Sequence, residues 1–331
     1  MELPLLAVLL SFLTCLFVLP IWISKGKKLK LLWEDMNKYK NPKNVVASGG
    51  LIVLFSFLLG VFAYIAFRTI YRGLDLITIN ILAIVLSVLI AGFIGFVDDI
   101  LGWKIKGLSR KLRLFLLVAL ASIPLVVINA GHSTMNIPFF GVVSFGILYP
   151  IFLVPLGFLA VTSVYNFLAG FNGLEAGQGV LILGFLSYVA FLNDKAWLSI
   201  IGLCMVAALL AFLIFNWNPA KVFGGDVLTY SIGALIVSMA IVGHFQRIAF
   251  VVFIPYIIEL VLKSRGKLDK YSFGKPNKDG SLELKYKKIY GLTHFSIWFL
   301  SKFKKKVYER DVVLMIFGIQ IIFILIAWGM L

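Results

Sequence analysis

The chain has 331 residues, of which 61% are hydrophobic and 14% charged, with a formal net charge of +16. Soluble domains are about 45–50% apolar and about 25% charged, so this composition excludes a water-soluble globule, and a mean hydropathy of +1.01 excludes intrinsic disorder. In so apolar a chain the excess of Lys and Arg points to basic cytoplasmic loops, anionic headgroups or an anionic substrate rather than to nucleic acid.

Since about 20 apolar residues cross a bilayer, the apolar runs predict an all-α integral membrane protein with about ten transmembrane helices. They fall near 4–23, 47–67, 76–97, 114–131, 148–166, 179–193, 197–215, 227–243, 248–263 and 311–331. The whole of 1–331 reads as one multispan domain with a large cytoplasmic loop at about 264–310, and 132–147 reads as an outer loop or short hairpin. Basic residues follow the first apolar run instead of preceding it, which favours a retained first span with its N-terminus outside. With that orientation the inner loops carry 27 Lys and Arg and the outer loops 4, which together are all 31 in the chain. Cys15 and Cys204 lie in apolar runs and have neither a disulfide framework nor zinc spacing.

Carboxylates are costly near hydrocarbon, about 2.5–3.5 kcal/mol each at a helix centre, so those gathered on one side are informative. Asp98 and Asp99 end the third span, Glu175 follows the fifth and Asp226 opens the eighth, all on the inner face. Glu2, Asp75 and Asp194 fall outside, and His132, His244 and His294 are scattered. Carboxylate and amide oxygens without a His or Cys cluster suit Mg²⁺, with Mn²⁺ as an alternative. Glycines at 170, 173, 177, 224 and 225 offer close backbone approach and free N–H groups for phosphate. The loop after the aspartate pair carries Lys104, Lys106, Arg110, Lys111 and Arg113, and Lys302–Lys306 with Trp298, Phe299 and Phe303 reads as an amphipathic stretch for anionic lipid. An acidic inner site ringed by cations suits phosphoryl transfer, and its membrane setting suggests that one substrate is a lipid.

Three segments, Gly95–Gly102, Tyr165–Gln178 and Phe215–Asp226, carry a further resemblance. The chain resembles the polyprenyl-phosphate N-acetylhexosamine-1-phosphate transferases, and most of all the UDP-GlcNAc–dolichyl-phosphate GlcNAc-1-phosphotransferases of archaea and eukaryotes. The resemblance implies transfer of GlcNAc-1-phosphate from UDP-GlcNAc to dolichyl or another polyprenyl phosphate. UMP would leave, and the GlcNAc-diphospho-lipid formed would be the first intermediate of lipid-linked glycan assembly for protein N-glycosylation. It implies Asn166 and Asp226 as Mg²⁺ ligands, Asp98 and Asp99 as the essential acidic pair, and Asn172 and Glu175 as part of the nucleotide-sugar site. The lipid-phosphate cation, usually Lys in the family, aligns with Arg113, with Lys111 nearby, and the Phe158–Phe167 wall would line the lipid groove. Two departures stand out. Val46-Ala47-Ser48-Gly49-Gly50 lacks the Glu common in relatives, and Lys270 or Lys275 stands in for an Arg-His-Arg cluster in the large loop. The alternatives are another UDP-N-acetyl sugar, undecaprenyl phosphate as acceptor, or a secondary transporter of an anionic solute. Compact loops and Lys-rich composition favour an archaeal cell membrane over the endoplasmic reticulum. A homodimer is one arrangement open to such a chain.

Overall fold

The computed structural model describes residues 2–104, 107–137 and 141–331, without the side chains at 2, 3, 103, 104 and 110. Lys104, Lys106 and Arg110, expected among the site cations, and the outer Glu2 therefore lie outside the described side chains. The chain runs α1 (Glu2–Lys28), β1 (Leu32–Glu34), β2 (Lys43–Val46), α2 (Gly50–Arg72), α3 (Leu76–Lys104), α4 (Arg110–Leu116) and α5 (Ile123–Ile128). It continues through β3 (Thr134–Ile137), β4 (Gly141–Ser144), α6 (Val154–Phe167), α7 (Leu174–Leu192), α8 (Ala196–Asn216) and α9 (Gly225–Gly243). Last come α10 (Gln246–Val252), α11 (Ile254–Ser264), β5 (Lys275–Pro276), β6 (Leu282–Glu283), α12 (Leu292–Leu300) and α13 (Glu309–Trp328).

Among the described residues nine helical stretches are long and apolar enough to cross a membrane, and they correspond to nine of the ten expected spans. The exception is 248–263, which is two short helices, α10 and α11, broken at Phe253. Pro255 sits in the first turn of α11. It has no N–H to give and its ring would crowd the carbonyl four residues back, which favours a break just before it. Prolines mark two further irregularities. Five-residue π-helical turns precede α5 and α6, at Leu117–Ala121 and Tyr149–Leu153. The expected outer hairpin is the antiparallel pair β3–β4. The sixth span starts earlier than its hydropathy suggests: α7 begins at Leu174, so Glu175 and Gln178, expected in a loop, ride on a helix.

The bundle is built round α9, every residue of which from Val227 to Gly243 is buried. Between membrane helices the hydrophobic effect adds little, because lipid is as apolar as leucine; close packing of small residues does the work. Helix α9 is rich in them, and its serines hide their hydroxyls by donating to the carbonyl four residues back, Ser231 to Val227 and Ser238 to Ala234. It packs mainly against α3 and α6. At Gly95 of α3 a Cβ would lie 2.5 Å from the Asp226 carbonyl, so only glycine lets α3 come this close to the start of α9. That contact sets Asp98 and Asp99 beside Asp226.

A short parallel pairing completes the same end of the bundle. Phe223 N–H donates to the Val46 carbonyl (2.8 Å), Gly49 N–H to that of Phe223 (2.8 Å) and Gly50 N–H to that of Gly224 (3.0 Å). The segment leaving the β1–β2 hairpin is thereby sewn to the segment entering α9.

Candidate active site

The ends of α3 and α6, the starts of α7 and α9 and the first loop enclose a cavity of about 350 Å³. Asp98, Asp99, Asn166, Glu175 and Asp226 all line it, joined by Glu34 and Asp35 from the first loop. No Lys, Arg or His is among the described residues of its lining. Six carboxylates facing one space repel one another, so the cavity suits a cation or a cation-bearing ligand.

The aspartates are held by specific donors. Asp99 accepts the Asp226 N–H through Oδ1 (2.8 Å) and the Ser48 hydroxyl through Oδ2 (3.2 Å). One of the donors that every helix leaves unsatisfied in its first turn is thus met by Asp99, from another helix. Asp98 accepts the Leu108 N–H through Oδ1 (2.5 Å), while its Oδ2 and the Oδ2 of Asp226 share Nη1 of Arg113, at 2.6 and 3.0 Å. Asn166 Nδ2 donates to the other oxygen of Asp226 (3.1 Å). Arg113, which the resemblance aligns with the lipid-phosphate cation, is the bridge between the third span and α9. Such a bridge between half-buried carboxylates is short-ranged and much less screened than a surface pair.

Glu175 accepts the Gly170 N–H through Oε1 (2.7 Å), closing the turn between α6 and α7. Asn172 lies off the cavity. It is buried, its N–H donates to Glu309 Oε1 (2.8 Å) and its Nδ2 to Asp35 Oδ2 (3.2 Å). Lys38 pairs with the same Glu309, and Asn218 Nδ2 donates to it (3.2 Å). Asn172 thus ties the turn to the first loop and to the start of α13. The remaining expected cations are not brought to the cavity. Lys111 is exposed on α4, Lys275 is exposed on β5, and Lys270 lies over the Tyr286 ring, 5.4 Å from its centroid.

Trp33, Ser48 and Phe273 escape a reading by charge alone, and Glu34 and Asp35 were not singled out. The acidic pair Glu34-Asp35 inside an otherwise basic loop was the one available signal. Ser48 stands in the segment where relatives often carry Glu, and its hydroxyl serves Asp99.

The donor set can be tested against a divalent ion. Among the described residues no three His, Cys, Asp or Glu side chains converge as a preformed metal cage. The oxygens present are hard carboxylate and amide donors around an open space, which fits Mg²⁺, an ion that takes one or two carboxylates and completes its shell with water and phosphate.

With this geometry in place, likeness to other proteins becomes informative. Residues 81–244, which contain α3 through α9 almost entirely, match the family model described as glycosyl transferase family 4. A protein of Saccharolobus solfataricus, provisionally named a UDP-N-acetylglucosamine–dolichyl-phosphate N-acetylglucosaminephosphotransferase, is 35% identical over 326 residues, 98% of this chain and 95% of its own. The chain belongs to glycosyl transferase family 4. A protein of the same provisional name from Sulfolobus acidocaldarius is 35% identical over 328 residues, 98% of this chain and 94% of its own. The phospho-N-acetylmuramoyl-pentapeptide-transferase of Halalkalibacterium halodurans is 28% identical over 282 residues, 80% of this chain and 84% of its own. In this family 4 member the matched region contributes Asp98, Asp99, Arg113, Asn166, Glu175 and Asp226, while the first loop and Phe273 lie beyond it.

Proposed function

We propose that the protein transfers GlcNAc-1-phosphate from UDP-GlcNAc to a polyprenyl phosphate of the dolichyl type, releasing UMP. The observation that carries this reading is the junction of Asp98, Asp99, Asn166 and Asp226 at one cavity, with Arg113 joining Asp98 to Asp226 beside it. The near full-length likeness to the two archaeal relatives supports the choice of substrates. An oxygen of the lipid phosphate attacks the β-phosphorus of UDP-GlcNAc. The bond from that phosphorus to the bridging oxygen breaks, and UMP departs with the oxygen. A phosphate monoester has its second pKa near 6, so the attacking group is already largely dianionic at neutral pH and needs no strong base.

Asp226 and Asn166 would hold Mg²⁺, which would neutralise the diphosphate and assist the leaving UMP. Asp99, whose Oδ1 accepts the Asp226 N–H, positions the start of α9 and so the residues that would hold the metal. Asp98 orients Arg113, whose guanidinium is placed to bind the lipid phosphate in a bidentate manner. The 27-to-4 distribution of basic residues supports a cytoplasmic position for this end of the bundle, and the resemblance to the archaeal relatives supports a cell membrane as its location.

The test is UMP release by detergent-purified protein with dolichyl phosphate, UDP-GlcNAc and Mg²⁺, with and without EDTA. UDP-GalNAc, UDP-glucose and undecaprenyl phosphate complete the panel. Release that needs both lipid and divalent ion, with UDP-GlcNAc preferred, is the expected result. Release only with another nucleotide sugar or only with undecaprenyl phosphate would overturn the substrate assignment, and no release from any pair would overturn the reaction.

A further inference from the structure

We propose that the bundle carries a second binding site at the end opposite to the acidic cavity. Lys195, His132, His244 and Asn80 form a pocket there for the headgroup phosphate of an anionic phospholipid in the leaflet on that side.

The pocket has a volume of about 270 Å³ and lies where four spans begin or end. Ile77 and Asn80 come from the start of α3, Ile128 from the end of α5, Trp197 from the first turn of α8 and Val242 from the last turn of α9. His132, Lys195 and His244 enter from the connecting segments. Span ends mark the level of the headgroups, where tryptophan is enriched because its ring is apolar and its N–H polar.

Lys195 decides the sign of the ligand. It is half-buried, and among the described residues no carboxylate pairs with it or lines the pocket. A charge withdrawn from water is ordinarily matched by an opposite one. Its Nζ donates to the Val242 and Gly243 carbonyls (3.1 and 2.8 Å). Those carbonyls are the negative end of α9, so the ammonium offsets the dipole that would otherwise repel an anion. An ammonium has three N–H donors, and two are spent in this way, which leaves one for a ligand.

The other polar groups add donors. The His132 and His244 rings lie 5.0 Å apart between centroids, tilted by 36°. Partial burial, then the Lys195 charge and His132, push the His244 pKa down to about 4, so its ring is neutral at neutral pH and offers one N–H. Asn80, whose amide has no hydrogen-bond partner among the described residues, brings two more. A metal ion would instead sit beside an ammonium with no carboxylate to hold it. Ile77, Ile128 and Val242 supply apolar surface to the same pocket, which suits an oxyanion attached to an apolar body. The volume falls just below the range of about 300–1,000 Å³ common for drug-sized ligands, enough for a headgroup whose chains stay in the bilayer.

The experiment is calorimetric titration of the detergent-purified full chain with dihexanoyl phosphatidylglycerol, dihexanoyl phosphatidylcholine, inorganic phosphate and Zn²⁺. Wild type is compared with Lys195→Gln, His132→Ala and Arg72→Gln, the last removing an exposed charge from outside the pocket. Phosphatidylglycerol should bind saturably and more tightly than phosphatidylcholine, whose own cation would face Lys195. Loss of a charge-assisted hydrogen bond corresponds to about 10- to 100-fold in affinity and loss of a neutral one to about 3- to 10-fold. Lys195→Gln should weaken phosphatidylglycerol binding by the first factor and His132→Ala by the second, with Arg72→Gln within about twofold of wild type. His132 is exposed, so His132→Ala decides the matter even where loss of Lys195 unfolds the end of α9. Equal binding of the two lipids, or wild-type affinity for phosphatidylglycerol in His132→Ala, overturns the proposal. Inorganic phosphate that binds as tightly as phosphatidylglycerol and competes with it overturns the lipid as the source of the anion. Zn²⁺ binding that is lost in His132→Ala, without any binding of phosphatidylglycerol, overturns the sign of the ligand.

Discussion

The two ends of the helical bundle are built from the same kinds of residue and do opposite things with them. At one end Asp98, Asp99, Asn166 and Asp226 face a cavity and are tied together across helices, in part through Arg113. At the other, polar side chains mostly finish the helix ends nearest to them. Lys195 donates to the Val242 and Gly243 carbonyls at the end of α9 (3.1 and 2.8 Å), Asn129 to the Leu125 carbonyl of its own helix (2.9 Å), and Asp75 accepts from Thr78 three residues on. A cavity of about 270 Å³ is present there too, bordered by His132, His244 and Lys195. It lacks carboxylates among its described lining residues. Polar residues that complete local structure stabilise the fold; polar residues held by remote partners around a space are available for chemistry.

The sharpest way to break this contrast is at Asp226. Asp226→Ala should lower UMP release on the order of 10²-fold or more, as removal of a key charge-stabilising group does, while the protein still elutes as a folded species. Residual activity near wild type would show that the carboxylate end is not the reactive one. Next is Arg113. Arg113→Gln should lower kcat/KM for the lipid phosphate by about 10- to 100-fold, the loss of one or two charge-assisted hydrogen bonds. Arg113→Lys should recover only part of it, because an ammonium that serves both aspartates has no planar pair of N–H donors left to grip a phosphate. Equal activity of Lys and Arg would reduce this residue to a diffuse charge.

A smaller effect separates the ends by packing. Gly95→Val drives side-chain atoms into the Asp226 backbone and should cost about 1–3 kcal/mol of stability, seen as a lower Tm with lost activity. Gly131→Ala, at the other end, meets nothing within 4 Å and should stay within about 0.5 kcal/mol of wild type.

The smallest effect concerns His244. Although solvent reaches its ring, partial burial, then the Lys195 charge and His132, push its pKa down to about 4. A histidine held below its unfolded value of about 6.5 binds protons more readily when unfolded. It therefore costs stability progressively as pH falls from about 6.5 to about 4, and nothing above that window. His244 caps α9 at φ +58°, a conformation that Asn also tolerates. His244→Asn should flatten the fall of Tm with acid in that window and leave UMP release at neutral pH within about twofold. A large loss of activity would mean that the two ends are coupled.

Much of this architecture was legible beforehand, for identifiable reasons. Apolar runs long enough to cross a bilayer are forced by the absence of water to satisfy their backbone internally, so nine spans and the outer hairpin followed from residue order. Carboxylates beside such runs are costly enough to stand out singly, which is why Asp98, Asp99, Glu175 and Asp226 could be gathered into one site. Hydropathy misplaced the start of α7 because Glu175 and Gln178 are polar residues on a helix whose apolar stretch begins later. It also read α10 and α11 as one span, since a sum over residues does not register Pro255.

Composition and residue order thus carry a membrane bundle with an acidic site at one end, because hydrophobicity and isolated charge act locally along the chain. Tertiary packing alone determines which cation meets which carboxylate, and whether a conspicuous polar residue faces the cavity or the frame. Arg113 bridges two aspartates where Lys111, two residues away, is exposed. Asn172, within one of the family-like segments, braces Asp35 and Glu309, while Asn37, just after the acidic pair of the first loop, clasps Gly170 to Gly274. Hydrogen bonds and ion pairs reach only a few ångströms, and which groups come that close depends on helices and loops more than a hundred residues apart.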